Sequence, residues 1–352
     1  MSTNPDFSFG IIGDTQFCYD EDGMQFGDPS RVRRYSASLP KFETAVKYFK
    51  DQAKLGPLPC CILLGDVVDG KTKRDGNSNE AMEEFRQVLN RSNGIDNIDP
   101  TWHFIVGNHD LYSFTREDIY NNEFYIPNYI RSQGNCNSKR LYYSFKPFKG
   151  YRFIVLDPFE ISTCGANSTD NEKKANDIIN NKNPNIASGG DWLEGLNDYD
   201  KRYVPYNGAV SDEQLLWLQN ELNDSKAGNS SSSLSERERV IVFTHCPLYE
   251  KCCRGSAITW NSDEILLLLR TSGNCIACFY GHDHDGGYAQ DASGIHHIVP
   301  PAVLEAQVPD NAHGLINVHH DSSTLVMNWM GKPPPSDRFT WPTEFSYKHI
   351  NC

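Results

Sequence analysis

The chain has 352 residues, enough for one large domain or two of average size, and its 38% hydrophobic content suits an ordinary globular core. Its 46 acidic and 33 basic residues give a net charge of −13, which argues against nonspecific nucleic-acid binding, since that mode needs basic surface to neutralise phosphates. A small phosphate ester stays open as a substrate, because bound metal ions can supply local positive charge.

Met1–Phe9 lacks the basic and apolar segments of a signal peptide, and no run of 18 apolar residues offers a membrane span. The 11 cysteines are odd in number and form no regular framework. Several lie in apolar runs (Cys60, Cys61, Cys275, Cys278), so they read as reduced, mostly buried thiols. The expectation is a cytoplasmic monomer with neither nucleic-acid nor membrane partners.

In chain order, the apolar run Phe7–Ile12 reads as a strand and leads into Gly13-Asp14-Thr15-Gln16. Ser38–Leu55 follows as a helix with Phe42, Ala45, Val46 and Phe49 on one stripe. Cys60–Leu64 leads into Gly65-Asp66-Val67-Val68-Asp69, and Glu80–Leu89 has helical spacing. Trp102–Val106 leads into Gly107-Asn108-His109-Asp110. Thr163–Asn185 is rich in Asn, Lys and Ser, and Asn223–Ser235 holds a four-serine run; both read as loop insertions without a catalytic role. Between them, Ser211-Asp212-Glu213-Gln214 is a capping-box pattern opening a helix over Leu215–Leu222. Val240–Thr244 ends at His245, Ser262 is placed to cap Asp263–Arg270, and Cys275–Tyr280 leads into Gly281-His282-Asp283-His284. Short strands follow at Ile295–Val299, Leu315–His319 and Thr324–Trp329. Alternation first and meandering strands later predict an α/β sandwich of two mixed sheets flanked by helices. The chemistry-bearing residues run from Asp14 to His284, so a single domain over 1–352 is expected, with insertions near 163–185 and 223–235.

Five predicted strands thus deliver Asp14, Gln16, Asp66, Asn108, His245, His282 and His284 to one sheet edge, where open α/β sheets bind ligands. Seven mixed oxygen and nitrogen donors exceed what one tetrahedral zinc uses. They suit two octahedral-type cations sharing a carboxylate, and Asp66 is the candidate bridge. Any one of these residues alone has an ordinary structural reading, such as a turn carboxylate or a core histidine. Their joint placement at strand ends is what carries weight.

The order Asp-x-Gln, Gly-Asp-x-x-Asp, Gly-Asn-His-Asp, a lone His and Gly-His-x-His resembles the calcineurin-like metallophosphoesterases, whose fold is a four-layer α/β/β/α sandwich. The resemblance implies one metal held by Asp14, Gln16, Asp66 and His284, and another by Asp66, Asn108, His245 and His282. It places His109 beside the phosphate as a catalytic residue that stabilises charge or protonates the leaving oxygen, with Asp69 anchoring the loop or orienting His109. Asp110 is expected behind the ligands. Most members have His where this chain has Gln16. A carboxamide oxygen is harder than imidazole and favours Mn²⁺ or Mg²⁺ over softer ions. Gly70-Lys71 replaces the Arg-Gly that phosphoprotein phosphatases carry after this motif.

Gln16 with Phe17, Glu21-Asp22-Gly23, Arg33-Arg34-Tyr35, Trp260-Asn261 and the Gly281–Gly287 run is similar to the manganese-dependent ADP-ribose/CDP-alcohol diphosphatases. That implies two divalent cations, Mn²⁺ preferred, activating a hydroxide that cleaves ADP-ribose to AMP and ribose 5-phosphate, or CDP-choline to CMP and a phosphoalcohol. The alternatives are a cyclic-nucleotide phosphodiesterase, a phosphoprotein phosphatase, or a non-catalytic scaffold on the same fold, which a full ligand set disfavours. Three residues are candidates for substrate binding: Phe26 to stack on a base, Arg33 to pair with a distal phosphate or ribose, and Asn207 to line the cleft.

Overall fold

The computed structural model describes residues 4–25, 28–91, 99–133, 140–227, 237–331 and 343–347. Two six-stranded sheets lie at its centre. The first runs Glu344–Ser346, Thr324–Met330, His313–His319, Phe7–Ile12, Cys60–Leu63, Thr101–Phe104. Its last three strands are parallel, and the others pair antiparallel. The second runs Gly287–Gln290, His296–Val299, Cys275–Tyr280, Arg239–Thr244, Tyr151–Val155, Tyr143–Phe145, with its middle four strands parallel. Parallel neighbours put their carboxyl ends on one edge, which is why loops distant in sequence can meet.

Phe7–Ile12, Arg239–Thr244 and Cys275–Tyr280 are buried along their whole length. Strands covered on both faces need apolar residues throughout, and that produces the continuous runs seen in the sequence. Phe9 meets Phe153, Phe243 and Phe279 of the opposite sheet, with ring centroids 5.0, 6.0 and 5.7 Å away, so the sheets pack face to face. Alternation then turns the next side chains outward. Ile241 and Phe243 join this inner core, while Val240 and Val242 pack with Leu218 and Leu222 of helix Asp212–Ala227 and with Leu266 and Leu269 of helix Ser262–Ser272. Helices Tyr35–Ala53 and Ser78–Arg91 cover the first sheet through Phe42, Phe49 and Phe85. The expected helix–sheet–sheet–helix layering is what forms.

Local details depart from expectation for physical reasons. Ser211 Oγ accepts from Gln214 N at 3.2 Å, as a capping box requires. The Gln214 carboxamide, however, bonds Asp157 and Glu160, and Ser211 N donates to Glu160 Oε2 at 3.1 Å instead. Helix Ser262–Ser272 begins at Ser262 itself, so Asn261 takes the capping position.

The larger correction concerns Thr163–Asn185, which is not a loop. Ser168 caps a helix over Thr169–Lys182 by accepting from Asn171 N at 3.2 Å. Ala175 and Ile179 pin that helix against Ile161, Tyr203 and Trp260. With only these two side chains buried, the apolar stripe is too thin to stand out from the Asn and Lys around it. Residues 223–227 of the second expected insertion belong to helix Asp212–Ala227; positions 228–235 lie outside the described residues. Among the described residues, no helix is long and apolar enough to cross a membrane.

Candidate metal centre

All seven candidate ligands converge where the parallel strands of both sheets end. The backbone there is unusual. Gln16, Asp66 and His282 have φ of 41°, 53° and 68°, left-handed conformations that cost a non-glycine residue about 1–3 kcal/mol. Hydrogen bonds hold these turns. Gln16 N donates to Asp66 O at 2.8 Å, and Phe17 N donates to Val67 O at 3.0 Å. Asp110, fully buried, accepts from Asp66 N, Val67 N and Gly107 N, each at 2.9 Å. It therefore staples the Asp66 loop to the Asn108 loop from behind, the position expected of it. Burial and the nearby Asp66 push its carboxyl up to about 7. Gly107 must be glycine, since a Cβ there would overlap Asp66 Oδ1.

Each imidazole has one nitrogen engaged on the side away from the cluster. His245 Nδ1 donates to Leu64 O at 2.7 Å, His282 Nε2 to Asn207 Oδ1 at 2.7 Å, and His284 Nδ1 to Glu305 Oε1 at 2.8 Å. This fixes the tautomers and aims His245 Nε2, His282 Nδ1 and His284 Nε2 inward. His245 Nε2 lies 3.2 Å from His282 Nδ1, 3.2 Å from Asn108 Oδ1 and 3.4 Å from Asp66 Oδ1. Asn108 Nδ2 donates to the Tyr112 hydroxyl at 3.3 Å, which turns the carboxamide oxygen toward His245. On the other side, His284 Nε2 lies 3.8 Å from Asp14 Oδ1. The ligand atoms of Asp66, His245 and His282 are within 4.8 Å of one another, and so are those of Asp14, Asp66 and His284. Asp66 is common to both groups.

The donor set fits divalent cations. Gln16 Oε1 is buried without a hydrogen-bond partner, while Gln16 Nε2 stands 2.8 Å from Asp66 Oδ2 and 3.2 Å from His284 Nε2. An amide N–H thus occupies ground that a cation would satisfy, and a flip of the amide presents its orphaned oxygen there instead. Charge tells the same story. Burial pushes the Asp14 carboxyl up, against the pull of His245 and His284. Burial also acts on Asp66, but His245, His109 and His282 outweigh it and hold that carboxyl below the ordinary range. Burial disfavours a charged His245, yet Asp66 and Asp14 raise it to about 9.

His109 sits at the rim of this cluster. Its Nδ1 lies 3.1 Å from Gly70 N and 3.3 Å from Asp69 Oδ2, so it accepts from the amide when neutral and donates to the carboxylate when charged, which leaves Nε2 for the cleft. Burial lowers the His109 pKa, but Asp66 and Asp69 together raise it above its ordinary value. Asp69 is anchored in turn by Lys71 N at 2.9 Å. The cluster opens into a cleft of about 1090 Å³ that Gln16, Asp66, Asn108, His109, His282 and His284 line from below.

Arg33 lines this cleft. Asn207 does not. It is fully buried, with Nδ2 donating to Arg202 O at 2.9 Å and Ser256 O at 2.7 Å, so both ends of its carboxamide are engaged behind His282. Phe26 lies outside the described residues. Sequence reasoning missed Glu305, Arg31, Tyr112 and Trp192. Glu305 carries no motif and comes 21 residues after His284. Arg31 bonds Glu305 Oε2 at 2.7 Å and Asp285 Oδ1 at 2.9 Å while lining the cleft. Its proximity to Arg33 in an otherwise acidic chain was the one available signal.

A family model described as Calcineurin-like phosphoesterase matches residues 7–286. The chain belongs to the calcineurin-like phosphoesterases. This phosphoesterase is 31% identical over 336 residues to the Manganese-dependent ADP-ribose/CDP-alcohol diphosphatase of Homo sapiens, covering 93% of the chain and 91% of that protein. It is 34% identical over 324 residues to the Arabidopsis thaliana protein of the same name, covering 92% and 94% respectively. The crystal structure of a dimetal phosphatase from Danio rerio superposes with a TM-score of 0.81 at 26% identity, covering 93% of the phosphoesterase and 97% of that chain. The family and the α/β/β/α fold expected from sequence are both borne out.

Proposed function

We propose that this phosphoesterase hydrolyses the diphosphate bond of small nucleoside-diphosphate-linked molecules with manganese, converting ADP-ribose to AMP and ribose 5-phosphate, and CDP-alcohols to CMP and a phosphoalcohol. The observation that carries the reading is the cleft, large enough for a dinucleotide-sized ligand, which joins both candidate cation groups to Arg31 and Arg33. Its relatives of matching length and name support it. Asp14, Gln16, Asp66 and His284 would hold one cation, and Asp66, Asn108, His245 and His282 the other. When bound, the pair would neutralise the diphosphate and lower the pKa of the attacking water.

The chain's own residues do the rest. His109 presents Nε2 to the cleft and can give a proton to the departing phosphate or bond its oxygens. Asp69 keeps that ring oriented. Arg33, beside Asp69 and Tyr35, offers a cation to the phosphate that is not attacked. Lys71, which stands where protein phosphatases carry part of their Arg-Gly pair, is taken up by Asp20 at 2.9 Å and by the Tyr35 ring, which disfavours a phosphoprotein substrate. A cytoplasmic, monomeric state remains part of the proposal; the nine described cysteines are free thiols, in keeping with a reducing compartment.

The test is an assay of chelator-stripped protein, reloaded with Mn²⁺, against ADP-ribose, CDP-choline, cyclic AMP and a phosphopeptide. Turnover of the two diphosphates is expected to dominate. Turnover of the phosphopeptide alone, or of cyclic AMP alone, would overturn the reading.

A further inference from the structure

The segment after helix Thr169–Lys182 ends in a turn, Gly190–Leu193, that forms one wall of the cleft. Trp192 stands on it with 41% of its surface exposed, whereas Trp102 and Trp260 are buried at 8% and 3%. An indole left in water is a cost that packing could have removed. Its backbone is nonetheless fixed. Asn183, fully buried, donates from Nδ2 to Trp192 O at 3.0 Å and Tyr203 O at 2.8 Å. Asn185 Nδ2 donates to Glu194 O at 2.7 Å, and Leu193 N donates to Asp191 Oδ1 at 2.9 Å. The turn is built to present the ring in one place.

That place is defined relative to the metal centre. The Trp192 and Tyr206 rings are 6.1 Å apart, and Tyr206 is 5.6 Å from the ring of His282. Aromatic surface therefore leads outward from the His282 end of the cluster. Arg33 and His109 occupy the cleft beside Asp69. Arg254, near the aromatic wall, has its guanidinium committed to Asp283 at 2.7 and 2.9 Å. The cleft thus has a cationic part suited to phosphate and an apolar, ring-lined part suited to a planar group. A diphosphate with a nucleoside on one side matches both.

Resting on the diphosphatase reading, we propose that Trp192 is a specificity-determining residue on which the substrate's nucleobase stacks, with purines held more firmly than pyrimidines because they offer more overlap. Base–aromatic stacking of this kind changes affinity by about tenfold or more on truncation.

The experiment measures binding of AMP and of ribose 5-phosphate to the manganese-loaded protein by calorimetry, in the wild type, Trp192→Ala and Trp192→Phe. AMP affinity is expected to fall about tenfold in Trp192→Ala and less in Trp192→Phe, with ribose 5-phosphate shifted less than twofold in both. In parallel, KM in Trp192→Ala should rise more for ADP-ribose than for CDP-choline. AMP that fails to bind the wild type, an AMP affinity that Trp192→Ala leaves intact, or equal losses for both ligands would overturn the proposal. If AMP binding follows expectation while neither diphosphate is hydrolysed, the diphosphatase reading fails and the base site stands.

Discussion

The first sheet brings oxygen to the cluster, through Asp14, Gln16, Asp66 and Asn108, and the second brings nitrogen, through His245, His282 and His284. The two sides are held by different means. The oxygen side is fixed mainly by backbone: left-handed turns at Gln16 and Asp66, the Asp110 staple, and main-chain N–H groups from His109 to Asp66 Oδ1 at 2.8 Å and from His282 to Asp14 Oδ1 at 3.0 Å. The imidazole side has one left-handed turn, at His282, and is fixed mainly by one acceptor behind each ring, namely Leu64 O, Asn207 and Glu305. A carboxylate has several lone pairs and tolerates a shared cation, so it needs its position set. An imidazole has a single inward lone pair, so it needs its tautomer and tilt set as well. Loss of a residue should therefore have different consequences on the two sides.

The largest effect is expected from the shared carboxylate. Asp66→Ala should empty both cation groups and lower turnover by about 10³-fold, several kcal/mol of lost transition-state stabilisation. His284→Ala should empty only the group with Asp14 and Gln16. Metal stoichiometry by mass spectrometry separates the two, and equal metal loss in both variants would break the comparison.

A smaller effect should come from the acceptors behind the rings. Glu305→Gln and Asn207→Ala each leave a ring nitrogen with a poorer partner, and each should weaken Mn²⁺ binding by about 10–100-fold without altering the seven donors. Titration with Mn²⁺ followed by calorimetry measures this. Unchanged affinity in both would mean that packing, not hydrogen bonding, sets ring orientation.

The smallest effect concerns Gln16→His. Histidine tolerates the left-handed backbone there better than most residues, so the fold and activity should persist. The ratio of Mn²⁺- to Zn²⁺-supported turnover should fall, because an imidazole replaces the harder carboxamide oxygen. An unchanged ratio would remove Gln16 as a selectivity element of the oxygen side.

Much of this was legible in the sequence because buried parallel strands must be apolar throughout and must stop where polar loops begin. Phe7–Ile12, Cys60–Leu63 and Cys275–Tyr280 declare themselves in that way, and the residues that follow them are the ones that converge. Helix Thr169–Lys182 was hidden because it buries only Ala175 and Ile179 fully, with Ile178 partly buried beside them. Asn207 was placed near the site but given the wrong task, since sequence distance says nothing about which face of a histidine a carboxamide will reach.

By itself, then, the sequence determined the layered fold, through hydrophobic patterning, and the seven polar residues that stand at strand ends, whose motif order points to the family. Only the tertiary structure decided that Glu305 and Asn207 stand behind the imidazoles and that Trp192 reaches the cleft. Those facts depend on how two sheets pack and twist against each other and on where an added helix docks. They are distances between residues far apart in the chain, and no local pattern carries them.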